Sequence, residues 1–278
     1  MTLDPFGTRL RAALDARGPL CVGIDPHPGL LAAWGLPDSV SGLERFALTV
    51  VDALADRVAV LKPQSAFFER HGSRGIAALE RVLALGRAAG TLMLLDAKRG
   101  DIGSTVSAYA DAYLDPASAL FADAVTASPY LGYESLRPLL DAAARHGAGV
   151  FVLAYTSNPE GAALQRAVTV AGGEVGAEIL AAIARDNHGS EPLGSIGAVV
   201  GATVDRVAFD LAAVNGPLLA PGVGAQGGTV GGLRALFGDA LSNVVPSVSR
   251  EVLGHGPEPD ALRTAADRLA GELAGLVD

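Results

Sequence analysis

Short apolar runs recur along the chain, and each is followed by an Ala- and Leu-rich stretch with helical spacing. Runs that are apolar nearly throughout are typical of strands covered on both faces, as in a parallel sheet. The pattern predicts eight strands, at residues 20–25, 57–62, 91–97, 121–126, 149–155, 196–201, 217–220 and 242–248. Eight successive βα units favour an α/β fold closed into a single (β/α)8 barrel, with an open doubly wound sheet as the alternative.

The helical stretches supply the crossovers that parallel strands need. In the last stretch one apolar stripe, suited to packing on the sheet, is formed by Leu262, Ala266, Leu269, Leu273 and Leu276. We expect an additional helix before the first strand. Residues 158–195 are more than one helix requires and are Gly-rich in the middle, so we predict an excursion after strand five.

Length and charge limit the class of protein. The chain has 278 residues, which suits one barrel domain over residues 1–278, because barrels of this type take about 250 residues. Lysine and arginine number 21 against 30 acidic residues, and the net charge of −9 makes nucleic acid an unfavourable partner. A small anionic substrate is feasible, because local cations and backbone N–H groups set the potential inside a cleft.

Cysteine content and the apolar runs indicate the compartment. Cys21 is the one cysteine, so no intrachain disulfide can form, and its apolar surroundings predict a buried core residue rather than a nucleophile. Residues 1–5 lack the basic start and apolar core of a signal peptide. Apolar runs elsewhere are shorter than the roughly 18 residues of a membrane span. We therefore expect a cytoplasmic protein without a membrane partner.

Polar residues fall where the predicted strands end. The active-site face of a barrel lies at the C-terminal ends of its strands. Any one such residue is as readily explained as a solvated loop position, but seven at one rim indicate a site. They are Asp25, Lys62, Asp96, Lys98, Thr156, Ser157 and Arg250.

The segment around the third strand end carries the strongest chemical signal. Side chains two apart on a strand share a face, so Asp96 and Lys98 should point together into the barrel mouth. Asp101 follows, where it could bring a second carboxylate to the same ammonium. Opposite charge nearby favours the charged amine, which makes Lys98 a proton donor rather than a Schiff-base lysine. A surface salt bridge is the alternative, and the apolar run before Asp96 counts against it.

A Gly-rich segment follows the seventh predicted strand. Its sequence runs from Pro221 to Gly228, and its glycines allow backbone N–H groups to turn inward. Loops after strands seven and eight are a frequent phosphate site in barrels, and Arg250 can add a bidentate contact. Gly222, Gly224 and Gly227 also spell G-x-G-x-x-G, which is weak support for a dinucleotide site because no suitable acid follows. We predict a phosphate site.

Other common catalytic motifs are missing from the sequence. There is no P-loop, no nucleophile-elbow serine and no H-E-x-x-H, so nucleotide hydrolysis, acyl transfer and zinc catalysis lack support. The five histidines are scattered, at His27, His71, His146, His188 and His255. We expect no metal site.

Taken together, these motifs resemble the orotidine 5′-phosphate decarboxylase family, particularly its longer-chain bacterial (type 2) subgroup. The family signature D-x-K-x-x-D-I-x-x-T is matched by Asp96, Lys98, Asp101, Ile102 and Thr105. Further matches in order along the chain are Asp25 in V-G-I-D-P, Lys62 in L-K-P-Q, the P-G-V-G-A-Q-G-G loop and Arg250 in S-V-S-R. The resemblance implies a (β/α)8 barrel that converts orotidine 5′-monophosphate into uridine 5′-monophosphate and carbon dioxide, the last step of de novo pyrimidine nucleotide synthesis, without a cofactor.

The resemblance also implies a role for each matched residue. Lys98 would stabilise the developing carbanion and protonate it, in a charged chain with Lys62, Asp96 and Asp101, while Asp96 would face the substrate carboxylate. Asp101, Ile102 and Thr105 would reach into the partner subunit's site, which implies a homodimer with shared sites. The remaining contacts would be made by Asp25 and Lys62 to the ribose, Ser157 and Pro221 to the pyrimidine, and Gln226 and Arg250, with the loop of Gly222 and Gly224, to the 5′-phosphate.

Two other functions are compatible with these residues. A metal-dependent sugar-phosphate synthase or epimerase of the same barrel superfamily would share the strand-three motif and would lose activity in a chelator. A non-catalytic nucleotide-phosphate binding protein would bind uridine 5′-monophosphate without releasing carbon dioxide, but it has no need of a buried Asp-Lys-Asp cluster.

Overall fold

Eight parallel strands close into one barrel in the computed structural model, which describes residues 3–275. The strands are β1 (Cys21–Ile24), β2 (Val60–Pro63), β3 (Leu92–Arg99), β4 (Ala124–Ala127), β5 (Gly149–Tyr155), β6 (Ile196–Val200), β7 (Leu218–Pro221) and β8 (Val244–Val248). Each strand pairs with the next along the chain, and β1 closes the barrel against β8. The predicted eight strands and their closure are confirmed, and the open doubly wound sheet is wrong.

Helices surround the barrel. They are α1 (Phe6–Arg17), α2 (Pro28–Ala33), α3 (Val40–Leu54), α4 (Ser65–Glu69), α5 (Gly72–Ala88), α6 (Gly103–Leu114), α7 (Arg137–His146), α8 (Gly161–Gln165), α9 (Val175–Asp186), α10 (Val230–Phe237), α11 (Arg250–Leu253) and α12 (Pro259–Ala274). Short 3₁₀ segments lie at Tyr133–Leu136, Leu211–Val214 and Gly238–Asn243. Within residues 3–275, every helix is too short or too polar to cross a bilayer.

The predicted helix before the first strand is α1, and it closes the N-terminal end of the barrel. Its buried residues Phe6, Leu10 and Leu14 join one apolar cluster with inward-facing strand residues. Phe6 meets Phe151 of β5 edge to face, with ring centroids 5.9 Å apart. Cys21 belongs to the same cluster, and its burial raises the pKa of the thiol to about 12, as expected for a core cysteine.

A second apolar layer lies between the strands and the outer helices. The predicted stripe of α12 is buried there through Leu262, Ala266, Leu269 and Leu273, and α12 packs against α3. Leu276, the last predicted member of the stripe, lies outside the described residues. Apolar side chains therefore pack on both faces of the barrel wall. Polar side chains lie instead at the C-terminal ends of the strands.

The excursion between β5 and β6 consists of a short helix and the crossover helix proper. α8 and a bridged turn, in which Val168 pairs with Glu174, precede α9. The buried side chain of Asn187 then anchors the end of α9 by donating to the carbonyls of Ile196 and Val214, at 2.7 Å and 3.0 Å. The predicted excursion is therefore confirmed, and it stays outside the barrel wall.

Candidate active site

A cleft of about 480 Å³ opens at the C-terminal ends of the strands, a volume usual for small-molecule sites. Ten of the predicted site residues line it: Asp25, Lys62, Asp96, Lys98, Thr156, Ser157, Pro221, Gly222, Gln226 and Arg250. They come from strands or following loops on both sides of the barrel, which closure brings to one rim. The predicted active-site face and the cleft therefore coincide.

Asp96 lies at the centre of the charged residues in the cleft. Its Oδ2 accepts a hydrogen bond from the Lys62 ammonium at 2.9 Å, and its Oδ1 accepts one from the Lys98 ammonium at 2.6 Å. The side chains of Asp96 and Lys62 are 8% and 7% exposed, whereas that of Lys98 is 45% exposed. The Lys62 amine is thus buried, and the Lys98 amine remains open to the cleft.

Lys62 and Lys98 are also the two lysines of the whole sequence, in which every other strong base is an arginine. An ammonium concentrates its charge on one atom with three donor hydrogens and can release a proton, whereas a guanidinium stays charged. Both lysines meet on one carboxylate. Lysine in this chain therefore serves this site, whereas arginine supplies the other strong bases.

Lys98 reaches Asp96 by a backbone that differs from a regular strand. β3 extends to Arg99, beyond the predicted end at residue 97, and Lys98 has φ +48°, in the left-handed region. The pairing of β3 with β4 shifts between Leu95 and Arg99. The prediction that Asp96 and Lys98 meet is correct, but its reasoning from strand alternation is wrong, because a bulge turns Lys98.

The two buried partners have opposite pKa shifts. Burial by itself raises the pKa of Asp96, but the Lys62 and Lys98 ammonium groups outweigh it and hold that pKa well below its ordinary value. For Lys62, burial by itself lowers the pKa, but the Asp96 and Asp25 carboxylates outweigh it and hold that pKa well above its ordinary value. Both groups are therefore charged across the neutral range.

These shifts determine how the pair contributes to stability at different pH. The pKa of Asp96 is below its ordinary 3.8, so its contribution is complete above that value and is lost as pH falls through the folded-state pKa. The pKa of Lys62 is above its ordinary 10.5, so its contribution is complete below that value and is lost as pH rises through the folded-state pKa. We expect a constant contribution between about pH 5 and pH 9.

Urea unfolding of the wild type and of Asp96→Asn at a series of pH values checks this expectation. The difference in unfolding free energy should shrink as pH falls below about 4, because the wild type then loses the contribution of the charged Asp96. His188→Ala, a change at an exposed residue of the outer surface, is the matched control. A difference that stays unchanged in acid solution would contradict the assigned shift of Asp96.

Two buried polar atoms in the cleft wall have no hydrogen-bond partner among residues 3–275. They are Asp25 Oδ1, after β1, and Ser249 Oγ, after β8. A buried polar atom without a partner is unfavourable, and such atoms in a cleft indicate where a ligand binds. A carboxylate oxygen accepts hydrogen bonds, which suits a ligand that carries hydroxyl groups.

The Gly-rich loop after β7 folds back on itself beside the cleft. Gly222, Gly224 and Gly227 all have positive φ, and the N–H of Gly224 donates to the Gly228 carbonyl at 2.9 Å. Gly222 lines the cleft, whereas Gly224 does not. The N–H of Gly224 is used inside the loop, and the expectation that Gly224 contributes to substrate binding stays a prediction.

Polar side chains connect this loop to the loop after β5 and to α11. Ser157 Oγ donates to Gln226 Oε1 at 3.2 Å, which joins the loops after β5 and β7. Glu251 accepts a hydrogen bond from the N–H of Ala225. The Arg250 guanidinium lines the cleft and has no ion pair with any described residue. A guanidinium without a carboxylate partner in a cleft favours an anionic ligand.

Three residues of the strand-three motif lie outside their own chain's cleft. Within residues 3–275, Asp101 forms no ion pair with Lys98; instead its Oδ1 accepts a hydrogen bond from the N–H of Ile102 at 2.8 Å. Ile102 is 60% exposed, and Thr105 is exposed on α6. The expectation that Asp101 brings a second carboxylate to the Lys98 of the same chain is wrong, because Lys98 pairs with Asp96 and Asp101 accepts from the backbone of its own loop.

Several site residues were missed by the sequence patterns. The cleft wall also contains His27, Gln64, Phe67 and Ser249, and Gln64 Nε2 donates to the Asp96 carbonyl at 3.1 Å. Gln64 lies two positions after Lys62 and continues the strand in a bridge with Asp96, so alternation, which fails at Lys98, could have found it here. Thr126 was also missed, although it is the last residue of a predicted strand. Within residues 3–275, no group of three or more His, Cys, Asp or Glu side chains could hold a metal ion.

Comparison with known proteins gives consistent results. The sequence profile described as "Orotidine 5′-phosphate decarboxylase / HUMPS family" matches residues 18–265. A Streptomyces coelicolor protein named orotidine 5′-phosphate decarboxylase is 64% identical over 276 residues, covering 99% of each chain. A Salinispora arenicola protein of the same name is 63% identical over 270 residues, covering 97% of each chain. A crystal structure from Streptomyces avermitilis, assigned as an orotidine 5′-phosphate decarboxylase, superposes with a TM-score of 0.97 at 62% identity and covers 100% of this chain and 97% of that one.

Proposed function

The chain belongs to the orotidine 5′-phosphate decarboxylase / HUMPS family, and we propose that it decarboxylates orotidine 5′-monophosphate to uridine 5′-monophosphate as a carboxy-lyase of pyrimidine nucleotide synthesis. The observation that carries the proposal is the pair of ammonium groups on Asp96, with Lys98 open to the cleft at 2.6 Å from the carboxylate. An exposed ammonium held by a buried carboxylate is suited to stabilise negative charge and then donate a proton.

The chemical step needs one bond to break and one to form. The bond between the pyrimidine ring and its carboxylate carbon breaks, carbon dioxide leaves, and the electron pair stays on the ring carbon. The Lys98 ammonium stabilises that charge and transfers a proton to the carbon, and the resulting amine takes a proton from solvent. Asp96 keeps Lys98 aimed at the reacting carbon, and the buried Lys62 balances the charge of Asp96.

The rest of the cleft supports the binding of a nucleotide. Arg250, without an ion-pair partner among residues 3–275, offers a bidentate contact to the 5′-phosphate, and Gln226 lines the same cleft. The unpartnered Oδ1 of Asp25 suits a ribose hydroxyl. Ser157 and Pro221 also line the cleft, where they can contact a pyrimidine. Binding energy from the phosphate, remote from the reacting carbon, can then contribute to the rate.

We also propose that two chains share their active sites as a homodimer. The loops after β3 and β4 are joined by the N–H of Ser128 donating to the Arg99 carbonyl at 2.8 Å. They expose three large apolar side chains, Ile102 at 60%, Tyr130 at 75% and Leu131 at 52%. An apolar group of this kind beside a cleft is typical of an interaction surface and supports a partner at Asp101. A cytoplasmic location stays a prediction of the sequence.

Carbon dioxide release from orotidine 5′-monophosphate in excess EDTA tests the reaction and its independence of metal. We expect full activity, because charge stabilisation and the proton both come from Lys98. Loss of activity in EDTA with recovery on adding magnesium would favour the metal-dependent sugar-phosphate enzymes. Tight binding of uridine 5′-monophosphate without carbon dioxide release would favour a binding protein.

Arg250→Ala should show how much the contact to the 5′-phosphate contributes to kcat/KM. Removing the phosphate contact should lower kcat/KM by about 100-fold or more, because a charge-assisted bidentate contact contributes about 3 kcal/mol. Steady-state kinetics measure the effect, with Arg268→Ala on the outer helix α12 as the matched control. An Arg250→Ala enzyme with unchanged kcat/KM would place the phosphate elsewhere.

A further inference from the structure

Thr126 of β4 connects Asp96 and Lys98 through a single hydroxyl group. Its Oγ1 accepts a hydrogen bond from the backbone N–H of Lys98 at 2.9 Å and donates one to Asp96 Oδ1 at 2.8 Å. The same Asp96 oxygen accepts from the Lys98 ammonium at 2.6 Å. Thr126 is 1% exposed and does not line the cleft, unlike Asp96 and Lys98, with which it forms these hydrogen bonds.

The position of Thr126 in the sheet explains why this hydroxyl is needed. β3 and β4 pair regularly at Leu95 with Val125, and pair again at Arg99 with Ala127. Between these pairs three residues of β3, numbers 96–98, lie opposite the single residue Thr126. A bulge of this kind interrupts the backbone ladder, so the N–H of Lys98 has a side-chain oxygen as its partner. The threonine hydroxyl replaces the missing ladder bond.

The backbone of Lys98 makes this contact important for the direction of its side chain. With φ +48°, Lys98 occupies a region that residues other than glycine rarely adopt. Such a conformation persists when surrounding contacts hold it, and strain of this kind is found at functional sites. The hydroxyl of Thr126 therefore holds two groups at once. It accepts from the backbone N–H of Lys98, and it donates to the Asp96 carboxylate that accepts from the Lys98 ammonium.

We propose that Thr126 is a positioning residue, which holds the strand-three bulge so that the ammonium of Lys98 points at the reacting carbon. The kinetic effect of this inference rests on the proposed decarboxylation. The hydrogen bond from the Lys98 N–H to Thr126 can be tested without turnover. Valine has nearly the shape of threonine and lacks both the donor and the acceptor. Serine keeps the hydroxyl and removes only a methyl group.

The kinetic test compares Thr126→Val, Thr126→Ser and a matched control, Thr91→Val. Thr91 is 2% exposed at the opposite end of β3, and its hydroxyl donates to the Val58 carbonyl at 3.1 Å. We expect Thr126→Val to lower kcat by about 10- to 100-fold with KM changed less than about twofold, because the nucleotide contacts remain while the ammonium is misplaced. Thr126→Ser should recover most of kcat, and Thr91→Val should keep it.

The structural test uses the two lysines of the sequence. Protein labelled with ¹⁵N-lysine has two backbone lysine amides, and Lys98→Arg assigns them. In Thr126→Val the amide of Lys98 should exchange with solvent at least about tenfold faster, because its acceptor is gone, while in Thr91→Val it should be unchanged.

These readouts separate failure of the inference from failure of the proposed function. A wild type that releases no carbon dioxide refutes the decarboxylation, and amide exchange then decides on Thr126. If the wild type is active and Thr126→Val matches it in kcat, the positioning role is wrong. It is also wrong if exchange at Lys98 is unchanged, or if Thr91→Val lowers kcat as much as Thr126→Val does.

Discussion

Replacing Lys98 with alanine should abolish decarboxylation and leave the fold intact. The variant removes both the charge that stabilises the carbanion and the proton that the carbon receives, so kcat should fall by at least about 10⁴-fold. The fold should survive because the Lys98 side chain is 45% exposed and because Asp96 keeps Lys62 as an ion-pair partner at 2.9 Å. Single-turnover assays of carbon dioxide release measure the chemical loss.

Lys98→Arg is the matched variant for this prediction. Arginine keeps a positive charge near Asp96 but does not release a proton at neutral pH, so it should recover little activity. Binding of uridine 5′-monophosphate and urea unfolding should show that both variants are folded and keep the phosphate site. A Lys98→Ala enzyme with a kcat within tenfold of the wild type would refute the assigned proton donor.

Asp101→Ala should be inactive on its own and should recover activity when mixed with inactive Lys98→Ala. In the proposed dimer each site combines Lys98 of one chain with the partner's Asp101. A mixed dimer then has one intact site, and random exchange of equal amounts gives about a quarter of the wild-type sites. Asp101 makes no ion pair with the Lys98 of its own chain and is followed by the exposed Ile102, which supports this arrangement.

The mixing experiment needs evidence that subunits exchange. Chains with different affinity tags show mixed dimers directly, and Lys98→Ala mixed with Lys98→Arg is the control that should stay inactive. If tagged mixed dimers form and the Asp101→Ala mixture remains inactive, Asp101 does not act across the interface. A chain that sediments as a monomer at assay concentration with full activity would also contradict the shared site.

The barrel and its rim could be predicted from the sequence because both depend on local patterns. A strand buried on two faces must be apolar along its length, so eight apolar runs mark eight strands without knowledge of their neighbours. Barrel closure then brings all strand ends to one face, which is why polar residues as distant in sequence as Asp25 and Arg250 line one cleft. Strand ends were less accurate, as at β3, which extends to Arg99.

The details of the charged cluster depend on contacts between strands. Lys98 and Asp96 meet because β4 meets β3 out of regular register, and that register is set by the packing of both strands. The same contact makes Thr126 important, although the sequence marks it only as a polar residue at the end of a predicted strand. Likewise, the sequence does not distinguish the buried Lys62 from the open Lys98, because burial depends on what the rest of the barrel places above each amine.

The sequence by itself thus determined the barrel, the rim that carries the chemistry and the residue types that perform it. Periodicity and composition act over a few residues, so they can be read along the chain. The tertiary structure alone decided the left-handed turn at Lys98, the internal use of the Gly224 N–H and the hydrogen bond of Asp101 within its own loop. Each of these depends on a loop hydrogen bond or on an irregular pairing between strands. The local pattern of apolar and polar residues does not encode such contacts.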